Sequence, residues 1–183
     1  MRQLVRGVAT AGVIALLALL VWKVAHGSGG GIASKVDHGE TVAAPAVSLP
    51  FLHGGTFDLA AYRGKVVVLN FWASWCVDCK LEAKSLADAA ARWKGKNVVV
   101  VGVDTKDFAF AASRYMKRYG VDYPVVRDVS GSLSDRFGVT GYPETFFIDR
   151  SGRVTPPHVV GPITPQAEFS TKDLESTIQR LAS

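Results

Sequence analysis

The chain holds only two cysteines, Cys76 and Cys79, with Val77 and Asp78 between them. Three chemistries use such a pair. A structural bridge across so short a loop removes little chain entropy from the unfolded state. A metal centre would find only half of a tetrahedral thiolate set here, and His26, His38, His53 and His158 all lie far away in sequence. Reversible thiol–disulfide exchange fits the spacing best. A cysteine at the first turn of a helix faces unsatisfied N–H groups and the positive end of the dipole. Both pull a thiol below its free pKa of about 8.5. Cys76 is therefore expected to be the exposed nucleophile, and Cys79, one turn further in, the buried resolving thiol. Such exchange needs no cofactor.

The elements around the pair must supply that helix start. Lys65 to Phe71 is an apolar, β-branched run that reads as a strand buried on both faces. Cys76 to Trp93 then turns helical, with Leu81, Leu86, Ala89, Ala90 and Trp93 on one side and Gly95 as the stop. Val98 to Val103 repeats the buried-strand pattern, and Asp107 to Tyr119 reads as a helix closed by Gly120. Thr145 to Asp149 is a third strand, with Ser151-Gly152 turning into a fourth. Ser170 and Asp173 cap a last helix to Leu181. Residues 46–59 are expected to form a preceding hairpin. The order gives an α/β architecture with a parallel core and an antiparallel edge.

Charge separates this body from its N-terminus. Of 21 Lys and Arg, Arg2, Arg6, Lys23 and Lys35 fall in the first 35 residues, where no acid occurs. The remaining 17 face 16 Asp and Glu, so the body carries no basic patch of the kind that binds nucleic acid. Sixteen uncharged residues separate Arg6 from Lys23, slightly short of the roughly 20 that span a bilayer core. Residues 1–25 are read as a membrane anchor with the basic end in the cytoplasm, or as a signal sequence cleaved near Ala25-His26-Gly27. Either exports the domain. Residues 26–41 are read as a flexible Gly/Ser-rich linker, and 42–183 as the folded domain. Anchor and linker are expected to contribute nothing to the core, so removal of residues 1–35 is expected to leave the domain folded.

The segment FWASWCVDCK, the strand before it and GVTGYPETFFID after it resemble the thioredoxin-like proteins of the TlpA/ResA/DsbE group. The similarity runs from about APAVSLPFLHGGTFDL to HVVGPIT. It implies a thioredoxin-like fold, a central mixed sheet flanked by helices, with an N-terminal hairpin extension. It also implies a cis bond before Pro143, facing the cysteines, with the Tyr142 backbone offered to a substrate segment. Trp75 belongs to the motif. Asn70 stands where thioredoxin has a buried aspartate, so another acid must take the proton of Cys79. Glu144, after Pro143, is the first candidate, with a pKa expected to rise towards neutrality through burial. Glu82 is the second, or else a solvated charge on the helix face. Asp78 replaces a frequent proline; it complements the helix dipole but repels a nearby thiolate.

The resemblance implies a membrane-tethered reductase of protein disulfides on the extracytoplasmic (periplasmic or outer) face. Apocytochrome c is the implied client and a transmembrane thiol reductase the implied electron donor. An exported compartment also admits a disulfide-forming oxidase. A peroxide-reducing enzyme of related fold fits less well, because such enzymes carry a proline shortly before the reactive cysteine and none lies between Phe51 and Cys76. Copper delivery would use a Cys-x-x-x-Cys spacing one residue longer.

Overall fold

The computed structural model describes residues 12–19, 21 and 31–183. Most of the expected anchor or signal sequence, and the linker up to residue 30, lie outside them. Among the described residues no helix is long and apolar enough to cross a membrane.

Every residue of β4 (Val66–Trp72) is buried, Asn70 among its apolar neighbours, as a strand covered on both faces requires. The strand pairs in parallel with β5 (Val98–Thr105) on one side and antiparallel with β7 (Glu144–Ile148) on the other. With β1 (Val42–Ala43), β6 (Val125–Asp128) and β8 (Arg153–Val160) the sheet reads β1-β8-β7-β4-β5-β6. The expected hairpin forms as a separate ribbon of β2 (Ser48–Pro50) and β3 (Thr56–Asp58). Because side chains alternate along a strand, Val66, Val68, Asn70 and Trp72 enter one layer, and Val67, Leu69 and Phe71 the other. The first layer is closed by α2 (Cys79–Trp93), α3 (Ala109–Tyr119) and α5 (Thr171–Ala182). The second is closed by α1 (Ile32–Asp37) and α4 (Ser132–Phe137). This is a thioredoxin-like α/β fold with a mixed central sheet.

Gly102 of β5 is small because Trp72 crosses it: a Cβ there would lie 2.6 Å from the indole Nε1. The Ser170–Asp173 capping box starts α5 as read from the sequence, and Leu174 and Ile178 face inward. The sequence patterns missed β6 and α4. Both are short, and Asp128 and Gly131 interrupt their apolar spacing.

The linker is shorter than its composition implied. Residues 32–37 form α1, which buries Ala33 and Val36 and packs on β8 and α4. Gly31 permits this docking, since a Cβ on it would meet Gly138 Cα at 2.6 Å. A glycine-rich stretch thus ends in a contact that only glycine fits, and the folded unit begins at Gly31. A cut at residue 35 passes through α1. Removing residues 1–30 is expected to leave the thermal midpoint of the domain unchanged. Removing residues 1–41 should lower stability by about 3 kcal/mol, the worth of one buried valine with its neighbours. Equal midpoints for the two truncations in calorimetry would show that α1 adds nothing.

Candidate active site

β4 ends at Trp72, and the chain reaches the first cysteine through Ala73, Ser74 and Trp75. Cys76 and Cys79 are joined as a disulfide, with a Cα–Cα distance of 5.4 Å. Cys76 precedes α2 rather than opening it. Its Sγ accepts the Cys79 N–H at 3.0 Å, as the oxygen of a capping side chain would. The helix start therefore points a backbone donor at the first sulfur, the arrangement that stabilises a thiolate. Cys76 is 6% exposed and Cys79 1%, so the first sulfur is the more accessible, though less open than the spacing implied. Val77 and Asp78 between them are exposed, and Asp78 makes no capping bond with its side chain.

The Tyr142–Pro143 peptide is cis. The Tyr142 carbonyl lies 3.4 Å from Cys76 Sγ, and the Tyr142 ring meets Trp75 edge-on at 5.6 Å. Trp75, Cys76 and Tyr142 thus lie together, with cis-Pro143 next in the chain. Behind it, Glu82 extends from α2 into the layer that contains Cys79. It is almost wholly buried and not a solvated charge. Asn70 Nδ2 donates to its Oε1 at 2.8 Å, and Ile163 N–H to its Oε2 at 3.0 Å. Burial dominates these two bonds and pushes the carboxyl up to about 7. Asn70 also donates to Thr145 Oγ1 at 3.0 Å, so the residue in place of the usual aspartate carries a hydrogen-bonded carboxyl on its amide.

Glu144 does not behave as the sequence reading expected. It pairs across the sheet with Phe71, while Thr145 pairs with Asn70. Strand alternation therefore sends Glu144 to the layer away from Cys79 and Glu82. Its Oε1 accepts the N–H groups of Thr140 at 2.8 Å and Gly141 at 3.0 Å, and the Thr140 hydroxyl at 3.0 Å. Its Oε2 lies 2.9 Å from His158 Nε2. Burial alone would raise its pKa, but the bonds from His158, Thr140 and Gly141 outweigh it and hold the carboxyl below its ordinary value. A group kept ionised in this way is poorly suited to take up a proton near neutrality, and Glu82 takes first place instead.

His158 completes a chain that the sequence reading missed. Its Nδ1 lies 3.0 Å from Asp37 of α1, and its ring stacks on Phe146 at 4.3 Å. Burial pulls its pKa down, but Glu144 and Asp37 together raise it above its ordinary value. The only sequence signal was the Ile32/Val36 spacing, which marks one helical turn ahead of Asp37. Asp107, also missed, accepts the Ser74 N–H at 2.6 Å and the Phe108 N–H at 2.7 Å. Arg127 donates to the Asp107 carbonyl at 2.6 Å and to Asp104 at 3.3 Å. Burial, then repulsion from Asp107, pushes Asp104 up to about 7. Among the described residues no cluster of His, Cys, Asp and Glu is arranged to hold a metal ion.

Residues 41–156 match the AhpC/TSA family. The thiol-disulfide oxidoreductase ResA of Bacillus subtilis is 35% identical over 122 residues, covering 67% of this chain and 68% of that protein. The thiol:disulfide interchange protein DsbE of Pseudomonas fluorescens is 38% identical over 117 residues, 63% of this chain and 64% of that one. The chain thus spans about two thirds of the length of these relatives. Among solved structures, a thioredoxin-family thiol:disulfide interchange protein from Chlorobium tepidum superimposes with a TM-score of 0.68. It is 28% identical, covering 79% of this chain and 98% of that one. A secreted Mycobacterium tuberculosis disulfide oxidoreductase homologous to DsbE gives 0.64 at 29% identity, covering 74% and 96%.

The Glu144–His158 pair has a defined pH signature. The raised pKa of His158 gives stability that is complete below its unfolded value of 6.5 and fades as pH rises through the folded value. The lowered pKa of Glu144 gives stability present above 4.5 and lost as pH falls through its folded value. Glu144→Gln is therefore expected to cost most between these limits, about 3 kcal/mol. The cost should shrink on both sides when denaturant midpoints of wild type and variant are compared across pH. A pH-independent difference would show that the pair is not ionised.

Proposed function

This chain belongs to the AhpC/TSA family, and we propose that it is an extracytoplasmic thiol–disulfide oxidoreductase that reduces disulfides of client proteins. The observation that carries this reading is the near-inaccessible disulfide, with its first sulfur at a helix start and its second in one buried layer with a carboxyl near neutrality. In the reduced protein the Cys76 thiolate attacks one sulfur of a client disulfide. A new S–S bond joins Cys76 to the client, and the other client sulfur leaves as a thiolate. Cys79 then gives its proton towards Glu82 and attacks the Cys76 sulfur. This releases the second client thiolate and leaves the Cys76–Cys79 disulfide. Two electrons have passed to the client, and a dithiol donor must return them before the next cycle.

Glu82 suits this step because it is three residues beyond Cys79 on the same helical face, and its pKa lies near working pH. Tyr142 and cis-Pro143 offer backbone beside Cys76 to an extended client segment, with Trp75 as an apolar wall. Asp78 is exposed, so water and salt weaken its effect on either sulfur. The basic, apolar N-terminus supports an uncleaved single-pass anchor in the cytoplasmic membrane, with the domain outside. The resemblance carried by FWASWCVDCK and GVTGYPETFFID supports a client of the apocytochrome c kind, re-reduced by a transmembrane thiol reductase.

Direction is tested by the potential of the Cys76/Cys79 couple in a glutathione series. A value at or below about −270 mV is expected, whereas one near −120 mV would make the protein an oxidant. The role of Glu82 is tested by single-turnover resolution of a preformed mixed disulfide. Its carboxylate form is the acceptor, so the wild-type rate should fall as pH drops through about 7. Glu82→Gln should remove that inflection and slow the step about a hundredfold or more. Superimposable pH profiles would eliminate Glu82 as the acceptor.

A further inference from the structure

Phe108 and Phe110 are among the most exposed large apolar side chains of the domain, at 72% and 66%. They stack on one another with centroids 5.9 Å apart and ring planes within 24°. The rest of α3 follows an ordinary amphipathic pattern, with Ala112, Tyr115 and Met116 turned into the core. Single exposed apolar residues need no explanation, but a stacked aromatic pair keeps two large faces in water at one place.

That place is fixed relative to the disulfide. The two oxygens of the Asp107 carboxylate hold the Ser74 N–H, two residues before Cys76, and the Phe108 N–H. Arg127 clamps Asp107 from β6 through its carbonyl. On the other side of Ser74, Trp75 is 58% exposed and meets Tyr142 beside Cys76. The Trp75–Tyr142 pair and the Phe108–Phe110 pair thus flank the hydrogen-bonded bridge from Ser74 to Asp107, both within a few residues of the segment that carries Cys76. Beyond it, the Arg114 guanidinium lies 6.0 Å from the Phe110 ring.

We propose that Phe108 and Phe110 form a client-docking step, which selects disulfides whose cysteine is flanked by an aromatic or aliphatic residue. The assignment rests on the exchange chemistry proposed above. The occupant is an extended client chain, because a polypeptide that presents sulfur to Cys76 has its flanking residues beside the segment that Asp107 ties to Phe108. A step tied to Ser74 by one carboxylate holds its distance from Cys76, so the residue flanking a client cysteine adds binding there when that cysteine reaches Cys76.

The test uses the full chain and two disulfide peptides, one with Phe and Leu beside its cysteines and one with Ser and Gly. In the wild type the apolar-flanked peptide should be reduced with the higher kcat/KM. In the double variant Phe108→Ala/Phe110→Ala the ratio of the two kcat/KM values should fall about tenfold, the worth of two aromatic contacts. The change should appear in KM and not in kcat. Both side chains are exposed, so an unchanged circular dichroism spectrum and thermal midpoint are expected. An unchanged ratio would overturn the proposal. If the wild type reduced neither peptide, the exchange reading would fail separately. Calorimetric binding of the apolar peptide with serine in place of cysteine would then decide the docking surface: weaker binding to the variant supports it, and equal binding overturns it. Concentration-dependent dimerisation abolished by the double variant, without a change in the ratio, would assign the surface to a second copy of the chain instead.

Discussion

A carboxyl group is buried in the apolar layer beneath the disulfide, and most of the site is arranged around the need to keep it there. Glu82 holds only two hydrogen bonds, from Asn70 and Ile163, fewer than a carboxylate needs to offset its loss of water. Each bond comes from a different element: Asn70 from the central strand, Ile163 from the segment after β8. The strand, helix and segment are thereby fixed about one acid. Asn70 also explains its own presence. Its amide donates to both Glu82 and Thr145, which an aspartate at that position could not do while ionised. Asparagine at the centre of β4 and glutamate one turn into α2 are one device, with the acid moved from strand to helix.

The two buried glutamates show how environment separates identical side chains. Glu82 sits among apolar neighbours with two donors, and desolvation prevails. Glu144 meets three donors at one oxygen and an imidazole at the other, and the ionised form prevails. One is poised to change charge near neutrality. The other is a fixed anion that gathers the Thr140 and Gly141 amides ahead of Tyr142 and ties them through His158 to α1. The alternation of β4 and β7 decides which acid can reach the sulfurs, since adjacent pairs on these strands look into opposite layers.

That alternation also marks where the sequence was informative. The buried runs of β4 and β5, the helices α2, α3 and α5, and the Cys-x-x-Cys pair each carry a local signal, and each forms within a few residues of where that signal put it, although Leu81, read onto the apolar side of α2, is exposed. The thioredoxin-like topology and the cis bond before Pro143 followed from the family resemblance. The environment of Glu144 did not follow. Its neighbour after Pro143 was legible, but its layer depends on the register of β7 against β4, a long-range pairing that adjacent residues do not encode. Asp37 and His158 lie 121 positions apart, and Asp37 stood in a segment whose glycines looked like a linker. Gly31 was read as freedom and is instead a close approach, a distinction invisible without Gly138 opposite.

The loops around the disulfide, residues 73–78, 106–108 and 140–143, meet at one end of the sheet, where β4 and β5 finish and β7 begins. Loops at such an edge leave backbone donors without ladder partners, and unpaired buried donors are costly. Here carboxylates take them: Asp107 receives Ser74 and Phe108, and Glu144 receives Thr140 and Gly141. Cys79 N–H differs, because its acceptor is the Cys76 sulfur. In the disulfide that sulfur is a weak acceptor, and as a thiolate it becomes a charged one. The reduced state therefore gains a hydrogen bond of greater strength at a backbone donor whose acceptor is a sulfur. With the neighbouring loops braced through carboxylates, this donor is a position where a change in redox state alters the hydrogen bonding of the backbone.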